Sequence, residues 1–106
     1  MKTDDLIRGL PGEARVREGL ADVFEGRCTA EACLVTIAGR RLRQAGLLPR
    51  TATGLAAEPE LQLYRLLRQQ GGDAYSRYNA LLRELTSFEQ ALTRRQRKWK
   101  RLKAEG

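Results

Sequence analysis

The sequence contains no histidine, and only 2 of its 106 residues are cysteine. Histidine is the usual general base near neutral pH, so its absence excludes the Ser-His-Asp and Cys-His catalytic arrangements. Two cysteines without histidine cannot complete a four-ligand zinc site. The chain also lacks the phosphate-binding motif G-x-x-x-x-G-K-[ST]. We therefore expect a protein that is not an enzyme and that needs no metal or cofactor.

Long apolar runs are absent as well. The longest run, Ala32 to Val35, is far shorter than the roughly 20 residues that span a bilayer. The first ten residues contain the adjacent acids Asp4 and Asp5 and no apolar stretch of signal-peptide length. We therefore expect a cytoplasmic protein without a membrane partner. In a reducing compartment, Cys28 and Cys33 are expected to be free thiols, buried or half-buried.

Helical spacing of apolar residues is present along nearly the whole chain. Val16, Leu20 and Val23, for example, recur at the spacing of one helical face. The length fits a single domain. We predict an all-α fold, a compact bundle of about four helices with a long C-terminal helix that extends past the body. The predicted segments run from Thr3 to Gly9, Pro11 to Gly26, Thr29 to Gly46, Pro59 to Gly71 and Asp73 to Ala104, with a linker over 50–57.

Positive charge is concentrated at one end of the chain. The net charge is +7, and seven cations with no acid lie between Thr93 and Ala104, whereas residues 1–93 are nearly balanced. We predict a helical body over 1–93 and a basic helical extension over 94–106. The last helix would be about 46 Å long, whereas the body would be about 30 Å across. Its last turns must therefore overhang, fray or lie against another surface.

The basic extension suggests binding of a polyanion, with nucleic acid favoured over lipid. Seven phosphate contacts on duplex DNA would give a slope of log affinity against log salt of about −6. Trp99 could add stacking on an unpaired base. A tail that is only solvated and partly frayed remains an open alternative. The candidate contact residues are Arg94, Arg95, Arg97, Lys98, Trp99, Lys100 and Arg101.

An apolar heptad along the last helix supports an alternative from a different class. Its members recur in alternating steps of four and three residues, and Arg95 is the only polar position among them. This seam would allow an oligomeric or adaptor protein to pack against another helix. Like charges around it disfavour a homodimer through this segment alone, so an acidic protein partner fits better. The members are Leu81, Leu85, Phe88, Leu92, Arg95, Trp99 and Leu102.

Glu18, Asp22 and Glu25 form a negative stripe on the second predicted helix, at spacings of four and three residues. A solvated surface explains this stripe. The alternative hypothesis is that it receives a basic tail, from the same chain or from a neighbouring copy. A carboxylate metal site is not expected, because helical dimetal sites add histidine ligands.

The segment Leu20–Gly26, a short turn and the helix capped by Thr29 have the outline of a helix-turn-helix. The predicted recognition helix begins with Ala-Glu-Ala and is apolar through its middle, so we expect a core helix rather than a base reader. Arg40, Arg41 and Arg43 near its end complement the helix dipole. They would extend a basic surface if the tail folds near them.

Overall fold

The computed structural model describes residues 3–49 and 57–105, with only the backbone described at 3–4 and 103–105. Within these ranges the chain is helical and contains no β-strand, which confirms the predicted all-α fold. Of the predicted linker over 50–57, only Ala57 lies within the described residues. The helices are α1 (Thr3–Ile7), α2 (Glu13–Phe24), α3 (Ala30–Ile37), α4 (Gly39–Gln44), α5 (Pro59–Gln69) and α6 (Ala74–Glu105).

Local capping chemistry sets several of the helix ends where the sequence predicts them. The Thr29 hydroxyl accepts a hydrogen bond from Ala32 N at 3.1 Å at the start of α3. Asp73 accepts one from Ser76 N at 3.1 Å at the start of α6. Gly46 adopts a φ of 76°, and Leu47 N donates to Leu42 O at 2.9 Å. That last pair of features forms a Schellman motif.

The predicted start of α2 at Pro11 is wrong, because the helix begins two residues later at Glu13. Gly12 occupies the N-cap with a φ of 76°, a left-handed conformation that suits glycine. The Glu13 carboxylate accepts a hydrogen bond from Gly9 N at 2.7 Å. This bond and the Arg17 side chain lower the pKa of Glu13. The turn between α1 and α2 is therefore closed by a side chain on α2.

The third predicted helix is also interrupted, since the structure has two helices, α3 and α4, separated at Ala38. Ala38 has a ψ of 7°, and Gly39 follows it. Glycine is a weak helix former, which allows a change of direction here. Ala38 and Leu42 are nonetheless both buried. The apolar spacing continues across the break, and this is why the sequence pattern does not reveal it.

Helix α6 runs along the length of the molecule. At 32 residues it is about 48 Å long, and the largest dimension of the molecule is 51 Å. Leu85, Phe88 and Leu92 lie buried on its inner face. Helices α5 and α1 pack against different parts of α6, and α3 joins α2 to α5. In the part of the chain that is described, every helix is too short or too polar to cross a bilayer.

Candidate functional site

The C-terminal part of α6 lies against α1 through Arg95. The guanidinium Nη1 donates to Leu6 O at 3.1 Å and to Arg8 O at 2.6 Å. Carbonyls at the end of a helix have no partner within the helix, and a cation there is favourable. Arg95 therefore caps α1, and its guanidinium is engaged within the chain.

Trp99 lies one turn beyond Arg95 on α6. Its side chain is half-buried and packs against the hydrophobic core. Leu102 is the next member of the apolar seam and is 51% exposed. Helix α6 passes through residue 94 without interruption. The inner face of the predicted basic extension is thus in contact with the body as far as Trp99.

Four of the remaining cations share the opposite face of α6. They recur at i, i+3, i+4 and i+7, which places them on one side of a helix over about 10 Å. All four are exposed. Among the described residues, none of them has an ion pair or a hydrogen-bond partner in its side chain. We call this set the basic stripe; its members are Arg94, Arg97, Lys98 and Arg101.

Lys100 is a further exposed cation and lies at one edge of the stripe. Thr93, seven residues earlier, lies on the same edge of α6. Helix α4 reaches α6 at that edge. The Arg41 guanidinium donates to the Thr93 hydroxyl at 2.8 Å and lies 3.4 Å from the Glu89 carboxylate. Arg40, next to it, is exposed. The arginines of α4 therefore lie beside the start of the stripe.

Two acidic groups on α6 and α1, Glu89 and Asp5, are engaged by partners outside the stripe. Glu89 pairs with Arg41, and burial raises the pKa of the Glu89 carboxyl. Asp5 on α1 pairs with Arg8 at 3.3 Å. The sequence between Thr93 and Ala104 contains no acid. Among the described side chains, the four cations of the stripe therefore have no acidic partner, and the side chain of Glu105 lies outside the described residues.

Two members of the acidic stripe predicted on α2, Asp22 and Glu25, are held by neighbouring side chains. Asp22 is buried; its carboxylate accepts from the Thr29 hydroxyl at 2.5 Å and from Arg27 Nε at 2.9 Å. These two bonds lower the pKa of Asp22, Thr29 contributing more. Glu25 also pairs with Arg27. Glu18 and Glu31 bring carboxylate oxygens within 4.8 Å of Asp22, but both Asp22 oxygens already have partners. The tail of the chain lies on α1 instead.

The helix-turn-helix outline and the two cysteines also have structural explanations. Helix α3 buries Ala32, Cys33, Leu34 and Val35, so it is a core helix, as predicted, and its middle is unavailable to DNA. Both cysteines are free thiols, and burial raises the pKa of Cys33 to about 11. Cys28 is exposed rather than buried or half-buried, because it lies in the connection before α3.

The seven predicted contact residues are therefore divided by the structure. Arg95 and Trp99 face the body, whereas the basic stripe and Lys100 face outward. In the sequence these residues form one set, because their charges are adjacent along the chain. The helical phase of each position, at about 100° per residue, would have separated them.

Comparison with family models, curated proteins and solved structures gave no match.

Proposed function

We propose that this protein is a non-catalytic binding module that holds a polyanion, in the first place nucleic acid, on the basic stripe of α6. The observation that carries the proposal is a row of four exposed cations on one helical face, without an acidic partner among the described residues. Lysine and arginine contacts to phosphate supply most of the affinity of sequence-independent nucleic-acid binding. A cytoplasmic location belongs to the proposal, and the two free thiols support it.

The expected strength of the salt dependence follows from the number of available cations. Of the seven cations in the segment, Arg95 is engaged by α1 and the side chain of Lys103 lies outside the described residues, which leaves the four of the stripe and Lys100. Neutralising five phosphates of a duplex gives a slope of log affinity against log salt of about −4.5. This is shallower than the slope expected from the whole basic segment. Affinity would therefore be strong at low salt and fall steeply as salt rises.

Nucleic acid fits this surface better than a lipid bilayer does. An interfacial helix must insert an apolar face between the headgroups while its cations stay outside. On this segment the apolar face is in contact with the body through Trp99, and only Leu102 remains exposed. Membrane insertion would require the tail to leave α1.

The apolar seam that suggested an adaptor or oligomer is largely used inside the chain. Leu85, Phe88 and Leu92 are buried in the core. Among the described members of the seam, Leu102 is the one large apolar side chain that is more than half exposed. A partner helix could therefore pack on little more than this residue. The polyanion hypothesis is therefore the better supported of the two.

A matched pair of double variants tests the proposal. R97Q/R101Q removes two charges from the stripe, and R65Q/R68Q removes two exposed charges from α5. Binding of a fluorescent duplex of about 20 base pairs is followed by anisotropy at low salt. We expect R97Q/R101Q to weaken binding by roughly 10- to 100-fold, because each lost phosphate contact costs about tenfold near 50 mM salt. R65Q/R68Q should bind within about threefold of the wild type.

Equal losses in the two variants would show that net charge, not the stripe, determines binding. Absence of duplex binding by the wild-type protein at low salt would overturn the proposal. Binding to anionic vesicles in its place would assign the stripe to a membrane surface.

A further inference from the structure

We infer that the nucleic acid on the basic stripe is double-stranded and is held through its phosphates alone, an inference that rests on the proposed function. The evidence is the orientation of the aromatic side chains relative to the cations. Proteins that prefer single strands place aromatic rings beside a basic groove, and successive bases stack on those rings. The stripe has no such ring.

Trp99 is the only tryptophan of the chain and the only aromatic residue within the basic segment. At about 100° per residue, it lies about 160° around the helix from both Arg97 and Arg101. Its ring packs against the hydrophobic core. A strand bound to the stripe would therefore pass on the opposite side of α6 from this ring. The stacking role that the sequence suggested for Trp99 does not fit this arrangement.

The other aromatic side chains do not replace it. Tyr64 and Tyr78 pack edge to face with their ring centroids 5.8 Å apart. Phe88 is fully buried. Tyr75 is exposed, but it lies about 33 Å along α6 from Arg97. Phe24 is exposed on α2, and a single ring on another helix is not a stacking platform.

The stripe is also a straight and anchored row of charge. Arg95 and Trp99 hold this part of α6 against the body, so the cations project from a fixed helix. Duplex DNA presents one phosphate charge per about 1.7 Å of its axis, whereas one strand presents half that density. A fixed row that contacts only phosphates gains most from the denser array. Phosphate contacts carry no base information, so binding should be independent of sequence.

Counterion release gives the size of the preference. For five contacts the slope against salt is about −4.5 on a duplex and about −3.5 on a single strand. If the two affinities are equal near 1 M salt, the duplex is favoured by roughly 20-fold at about 50 mM.

The test compares a duplex of about 20 base pairs with one of its strands, chosen to lack self-pairing. Anisotropy over a salt series gives the affinity and slope for each ligand. We expect the duplex to bind at least tenfold more tightly at about 50 mM salt, with the steeper slope. Trp99 fluorescence should remain unquenched by the single strand. W99F, which keeps an aromatic ring in the core, should bind the duplex within about twofold of the wild type.

Equal or tighter binding of the single strand, with quenching of Trp99 and a loss of affinity in W99F, would overturn this inference. The proposed function would then still stand, provided that R97Q/R101Q weakens binding. If R97Q/R101Q has no effect on either ligand, the proposed function itself fails.

Discussion

At the scale of single residues, Arg95 shows how one position in a charged segment differs from its neighbours. It occupies a polar place in an otherwise apolar heptad, and its guanidinium reaches the carbonyls of Leu6 and Arg8. The sequence identifies Arg95 as the exception in the heptad. It does not identify the partner, because the acceptors are backbone groups 87 to 89 positions away along the chain.

Replacing Arg95 with methionine should destabilise the fold. R95M keeps the aliphatic contact with the body and removes the donors that α1 needs. We expect the free energy of unfolding in urea to fall by about 1 to 2 kcal/mol. R94M is the matched control, and its exposed site should change stability by less than about 0.5 kcal/mol. Equal stability of R94M and R95M would contradict the capping role of Arg95.

Asp22 provides a prediction about pH. Its pKa is lowered by the Thr29 hydroxyl and by Arg27. A carboxyl with a lower pKa in the folded state contributes stability that is complete above its unfolded value of about 3.9. That contribution is lost as the pH falls through the folded value. We expect D22N to unfold more easily than the wild type at pH 7, with a shallower loss of stability below about pH 4.

The measurement is urea unfolding at a series of pH values. E18Q, which changes an exposed carboxylate on the same helix, is the control and should follow the wild-type curve. A D22N curve that runs parallel to the wild type down to about pH 2 would show that the Asp22 contacts do not stabilise the fold.

At the scale of the helices, α2 and α3 approach each other closely at Gly19. A Cβ placed on Gly19 would lie 2.3 Å from Glu31 O and 2.5 Å from the Val35 side chain. The first is a backbone atom of α3, and the second belongs to a fully buried side chain. Only glycine at this position allows the two helices to pack as they do.

G19A should therefore lower the free energy of unfolding by about 1 to 3 kcal/mol, because α3 must shift to admit the methyl group. The better helix propensity of alanine offsets at most about 1 kcal/mol of this cost. G39A is the control, since a Cβ there would approach the flexible Arg43 side chain at 3.4 Å. Thermal unfolding compares the two. A midpoint for G19A equal to that of G39A would contradict the close packing.

Helix ends with a local chemical signal were predictable from the sequence. Thr29, Asp73 and Gly46 bond to groups within a few residues of themselves. The separation of α3 from α4 was not predictable, because Ala38 and Leu42 keep their place in the core on both sides of it. The same limit applies to Gly19, whose neighbours come from another helix.

At the scale of the whole molecule, one long helix carries both the core contacts and the charge. The sequence predicted the length of α6 and the location of the cations. It did not predict that the tail would be anchored on α1, because that contact depends on where α1 lies in the folded chain. Anchoring leaves an outward face with the four cations of the basic stripe. The proposed binding of a polyanion therefore depends on that outward face.

The salt dependence of duplex binding, measured for the wild type and for R97Q/R101Q, tests this claim most directly. Each phosphate contact contributes about 0.9 to the magnitude of the slope. The account predicts a wild-type slope of about −4.5 and a slope shallower by about 2 in R97Q/R101Q. The same slope for both proteins would contradict it, because the stripe would then make no phosphate contacts.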